Sequence, residues 1–195
     1  MFENIPWETL LMVGGALGCY LLIRRMGTGK NDESRAGKMM EKYKTLTAEN
    51  LAETDDEDLV EAVVCHVLSQ AAEARRPDPA KELAVLPQPF TVVYSIWAVC
   101  KEMGRGDYKA LTHTATKHLV DAAVDGLPVV GASATAEALA ALRDGYASKE
   151  GGELHRAFHL AVEQEAPLNL CIAYIRDHVP QLLGDEPEEE SIDEE

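Results

Sequence analysis

The chain predicts an all-α protein in three parts: an N-terminal single transmembrane helix, one compact multi-helix domain and a disordered acidic tail. Three observations predict it. An uncharged apolar run, Thr9 to Ile23, is followed at once by Arg24 and Arg25. From Leu59 to Val179 apolar residues recur at three- and four-residue spacing, with no convincing strand alternation. The last twelve residues, Gly184 to Glu195, hold eight acids and no base, too little apolar surface to fold.

Residues 1–25 read as the membrane anchor. Acids (Glu3, Glu8), then the apolar run, then bases (Arg24, Arg25, Lys30) place the C-terminal side in the cytoplasm, because lysine and arginine are retained inside. The expected location is the cell membrane, crossed once, with the domain facing the cytoplasm. Fifteen helical residues span about 22 Å against a hydrocarbon core of about 30 Å. Trp7 at one interface and snorkelling Arg24 and Arg25 at the other recover much of the difference. A signal peptide, a lipoprotein and a peripheral helix are the alternatives. Ala16-Leu17-Gly18-Cys19 is similar to a lipoprotein cleavage box, but the N-terminus lacks the positive charge such leaders carry. Gly14 and Gly18 form a GxxxG that allows a homodimer through close helix pairing, although small residues are common in membrane helices generally.

Residues 26–45 read as a polar tether, partly helical, and residues 46–183 as the helical domain. Thr47 caps a short helix through Leu51. Thr54 with Glu57 three positions later is a capping box, and Asp55 and Asp56 favour the positive end of the helix dipole. Leu59, Val63, Val64, Val67, Leu68 and Ala71 then form one buried face, up to Pro77 and Pro79. Pro87 and Pro89 open the next helix, with Phe90, Val93, Tyr94, Trp97 and Cys100 as its stripe and Gly104 and Gly106 at its end. Asp107 caps a helix to about Asp125 with Leu111, Ala115, Leu119, Ala122 and Ala123 inward, and Ser133 or Thr135 begins an alanine-rich helix through Tyr146. Ser148 to Gly152 is a loop, and two last helices run from Glu153 to Glu165 and from Leu168 to Val179, divided by Pro167.

The net charge is −16, from 34 acids and 18 bases. Residues 1–42 carry +1 (six bases, five acids) and the tail −8, which leaves −9 on residues 43–183. An acidic domain is repelled by phosphates, so direct nucleic acid binding is not expected. Cys19, Cys65, Cys100 and Cys171 are far apart with no CxxC spacing and read as reduced thiols in apolar surroundings.

Few residues carry chemistry. His155, His159 and Glu163 fall at i, i+4 and i+8 on one helix face, the spacing at which two imidazoles reach one divalent metal and a carboxylate adds an oxygen; solvated surface residues are the competing reading, and neither HExxH nor a second ligating element is present. His113 and His118 share no face, and Cys65-His66 point in different directions. Gly126 to Ser133 lacks the lysine and preceding strand of a phosphate loop. Glu53, Asp55, Asp56, Glu57 and Asp58 lack the alternation and glycine of a calcium loop. No cofactor and no enzymatic activity are expected.

The stretch from Leu46 to Val179 resembles a bacterial family of small acidic helical proteins, a domain of unknown function whose best-known members are described as DNA mimics. The residues behind the resemblance are Leu46-Thr47, the Thr54 to Leu59 helix start, Phe90-x-x-Val93-Tyr94-x-Ile96-Trp97, the Glu102 to Tyr108 junction, Gly131-Ala132 before an alanine-rich helix, and Tyr174 to His178. The junction departs from the family: an asparagine- and glycine-rich turn followed by phenylalanines is replaced by Gly104-Arg105-Gly106-Asp107-Tyr108. The resemblance implies an interaction domain, with a dimer compatible with it, rather than an enzyme.

Two functions are therefore expected to compete. One is a membrane-anchored, cytoplasm-facing protein–protein interaction module, in contact with inner-membrane lipid through its anchor and with a basic partner through Glu53, Asp55, Asp56, Glu57, Asp58 and the tail. The alternative is a metal-binding or metal-dependent protein built on His155, His159 and Glu163, or a purely structural scaffold in which the acids only solvate the surface.

Overall fold

The structure, a computed structural model, describes residues 30–73, 83–104 and 114–184. The expected anchor with Trp7, Gly14, Gly18, Arg24 and Arg25, the tail beyond Gly184, and Pro77, Pro79, Gly106, Asp107 and His113 lie outside the described residues. Among the described residues no helix is long and apolar enough to cross a membrane. All regular structure there is helical.

Helix α1 (Lys30–Lys42) packs against α3 (Asp56–Glu73). Its Met39 and the following Tyr43 are buried, so this part of the segment read as a tether contributes to the core. Helix α2 (Ala48–Ala52) starts as expected from Thr47, with Asn50 in the reciprocal position: the Asn50 amide donates to Thr47 Oγ1 at 3.1 Å and the Thr47 amide to Asn50 Oδ1 at 2.9 Å. The second expected box does not take this form. Thr54 is 3% exposed and its hydroxyl turns inward, donating to the Asn50 carbonyl oxygen and lying 2.8 Å from the Tyr43 hydroxyl. A buried hydroxyl needs partners, and Tyr43 supplies one from a different element.

Helix α3 buries Leu59, Val63, Val64, Val67, Leu68 and Ala71, the predicted face. Helix α4 (Gln88–Gly104) is apolar on most of its circumference, with Phe90, Val92, Val93, Ile96, Trp97 and Val99 all buried, because it touches α3 on one side and α5 (Thr114–Val129), α8 (Pro167–Asp177) and α9 (Val179–Leu183) on others. Pro89 sits in its first turn, where a missing N–H costs nothing.

Helix α5 runs past the expected stop at Asp125 to Val129, so Gly126 to Val129 is helix rather than loop. It ends at Gly131 (φ 93°), a left-handed residue that glycine adopts without strain. The Ala132 amide donates to Leu127 O at 2.8 Å and the Gly131 amide to Pro128 O at 3.0 Å, the paired bonds that satisfy terminal carbonyls at such a stop.

Helices α6 (Ser133–Gly145) and α7 (Gly151–Glu165) pack on each other, and α6 also on α5. Gly151 is required by close approach: a Cβ there would lie 2.3 Å from the Tyr146 carbonyl oxygen. Ala166 (φ 47°) breaks the chain between α7 and α8, and Pro167 then opens α8. Helix α8 returns to α3 and α4, and the short α9, which periodicity did not separate from it, reaches α2. One continuous core runs from Met39 to Leu182.

Candidate functional site

The acidic corner between α2 and α3 is the first candidate. Glu53, Asp55, Asp56 and Glu57 are exposed, and Asp58 is half-buried. The backbone beneath them is fixed from the far end of the sequence by Arg176. Its guanidinium donates to Leu51 O at 2.6 Å and to Thr54 O at 2.7 Å, and pairs with Asp56 Oδ1 at 2.9 Å. Planar, multiply donating and always charged, arginine suits this position as lysine would not. Asp58 pairs with Arg35 of α1. The Lys42 ammonium stands 4.8 Å from the centre of the Tyr43 ring, and its pKa is raised, first by Tyr43 and then by Glu53 and Asp58. Of the five expected interaction residues, two are thus engaged within the domain, and Glu53, Asp55 and Glu57 have the freest carboxylates.

The second candidate lies on α7. His155 and His159 turn toward each other, Nε2 to Nε2 at 2.9 Å, with the rings edge-on and centroids 4.2 Å apart. The His155 pKa is lowered by burial and then by His159, against a backbone hydrogen bond to Met103 that raises it. The backbone of Met103 at the end of α4 thus favours the protonated form of His155, while burial and His159 oppose it. Glu163 does not join them. It is exposed and lines an open groove of about 460 Å³ with Glu153, Arg156, Ala157, His159 and Leu160. Among the described residues no group of three or more His, Cys, Asp or Glu side chains is placed to hold a metal. The expected three-residue set therefore reduces to a pair, because the imidazoles converge between residues 155 and 159, about 9 Å along the helix axis from Glu163.

The other described histidines have structural roles or stand in solvent. His66 Nδ1 lies 3.0 Å from Lys44 O beside the Phe90 ring, and His178 stacks on Tyr174 with Nδ1 2.8 Å from that residue's carbonyl oxygen. His118 is exposed. Burial pushes the thiols of Cys65, Cys100 and Cys171 up to about 12, with Glu61 adding to the effect at Cys65 and Cys100 at Cys171, so none is a thiolate nucleophile near neutral pH. A cavity of about 110 Å³ lies against α1, α3 and α4, walled by Met39, Val64, Cys65 and Trp97 together with Arg35 and Glu61.

Sequence reasoning missed Arg176 and Glu165. The Glu165 carboxylate accepts from the Ala134 amide at 3.1 Å and the Thr135 amide at 2.7 Å, capping α6 from the end of α7. Desolvation raises its pKa, but the amide bonds outweigh this and the net shift is downward. Both contacts join residues 30 or more apart, for which a single sequence holds no local signal. Compared with known proteins, the chain matches no family model, no curated protein and no solved structure.

Proposed function

We propose that the protein is a non-enzymatic interaction module, anchored in the cell membrane through residues 1–25 with its helical domain on the cytoplasmic side, that receives a basic protein partner on the acidic corner between α2 and α3. The observation that carries this reading is the exposure of Glu53, Asp55, Asp56 and Glu57 on a backbone held by Arg176. Carboxylates on a fixed frame lose little freedom when a cation meets them, so complementary charge there contributes to binding and speeds encounter. The charge of −9 on residues 43–183 repels nucleic acid and anionic headgroups, which favours basic protein over either. In the narrower form that the family resemblance suggests, the carboxylates stand in for phosphates and compete with DNA for a DNA-binding protein.

The test is affinity capture of the full-length protein from detergent-solubilised native membranes, with eluates identified at low and high salt. Wild type is compared with a Glu53→Lys, Asp55→Lys, Glu57→Lys variant, which spares the two acids bonded within the domain. One basic partner recovered at low salt, released at high salt and lost by the variant is the expected result. Equal recovery by the variant ends the reading for this corner. Added DNA that displaces the partner separates the mimic form from the broader one.

A further inference from the structure

The imidazoles of α7 carry an inference independent of the acidic corner. His155 and His159 bring their Nε2 atoms to 2.9 Å from adjacent turns of one helix, so a single small ion can touch both. A ligating histidine characteristically hands its second ring N–H to a backbone carbonyl or carboxylate, which fixes the tautomer and aims the other lone pair. The backbone of Met103 at the end of α4 acts on His155 in this sense, raising its pKa against burial and His159. His159 also lines the open groove on the outer face of α7, which gives an ion a route in and leaves room for water.

We propose that His155 and His159 form a two-imidazole site for a divalent transition-metal ion, with water completing the coordination. Imidazole nitrogen selects copper, nickel and zinc over the oxygen-seeking magnesium and calcium. With metal–nitrogen bonds of about 2.0–2.1 Å, a 2.9 Å separation subtends an angle of about 90° at the metal. That angle suits the tetragonal or octahedral preference of copper(II) and nickel(II). A tetrahedral zinc ion requires the nitrogens to open to about 3.3 Å. The expected order of affinity is copper above nickel above zinc, with magnesium ineffective. The ion takes the place of the proton that otherwise lies between the two rings, and its remaining positions are open to exchangeable ligands.

Equilibrium dialysis of chelator-stripped full-length protein in detergent against nickel chloride, and separately copper chloride, tests the site, with metal counted per chain. Wild type and Glu163→Gln are expected to bind one ion per chain, which a large excess of magnesium does not displace. His159→Gln and His155→Gln are each expected to weaken binding at least tenfold, and copper to give the visible band of a nitrogen-ligated ion in wild type and Glu163→Gln but not in the histidine variants. Circular dichroism confirms that the variants are folded, and His159→Gln decides the matter where His155→Gln is not. Unchanged affinity in His159→Gln, displacement by magnesium, or absence of a bound ion on folded wild type overturns the proposal, the first two by assigning the metal to carboxylates elsewhere.

Discussion

Arg176 is half-buried, and its three bonds hold two carbonyl oxygens and a carboxylate from the α2–α3 corner. Hydrogen bonds to charged groups contribute about 1.5–3 kcal/mol, and truncation leaves both carbonyls without this donor. Arg176→Ala is expected to destabilise the domain by about that amount in urea unfolding, and Arg176→Lys to recover only part of it, because one ammonium cannot serve all three acceptors. At Gly151 the cost comes from crowding. The Cβ of Gly151→Ala would meet the Tyr146 carbonyl oxygen, which belongs to backbone and cannot swing aside. A loss of roughly 1–3 kcal/mol is expected. Gly152→Ala is the control: nothing lies within 4 Å of its Cβ, and the helix gains up to about 1 kcal/mol in propensity.

Helix ends are where long-range structure overrides local signals. Helix α6 has no side-chain cap of its own, and Glu165 supplies one. Glu165→Gln keeps an acceptor but removes charge from the positive end of the dipole, and a loss of roughly 0.3–1 kcal/mol is expected. The folded pKa of Glu165 lies below its ordinary 4.5, so its contribution is complete above about 4.5 and is lost as pH falls through the lower folded value. Unfolding curves of wild type and Glu165→Gln at pH 7 and across the acid range check this: the two should converge at low pH. The buried faces of α3 and α4 are legible in the sequence because periodicity is a property of neighbouring residues, and Thr47 with Asn50 is legible because the cap closes within three positions. The true role of Thr54 is not, since its partner Tyr43 lies eleven residues back on another element. The continuation of α5 past Asp125 follows from Gly131, six residues downstream, where the chain can turn left-handed. The histidine pair is legible as spacing, but the influence of the Met103 backbone on His155 is not, because it joins residues 52 positions apart.

Across the whole molecule, charge and core are divided along the chain. Among the described residues the core ends at Leu182, and half of the net charge of −16 lies beyond Gly184. Deleting residues 185–195 is expected to leave the melting temperature no lower, because eight like charges are removed and every described residue of the core is kept. A fall in melting temperature would show that the acids bind back onto the domain. If the same deletion leaves partner capture intact, the α2–α3 corner is sufficient for it. The bond from Arg176 to Leu51 also bridges 125 positions, and α8 and α9 cover surfaces of α2, α3 and α4 made far earlier. During synthesis the first helices therefore leave the ribosome before their cover exists, and closure waits for the C-terminal ones. Until then the nascent chain exposes apolar surface, so it is during translation that the protein most depends on a chaperone and is most open to aggregation and proteolysis.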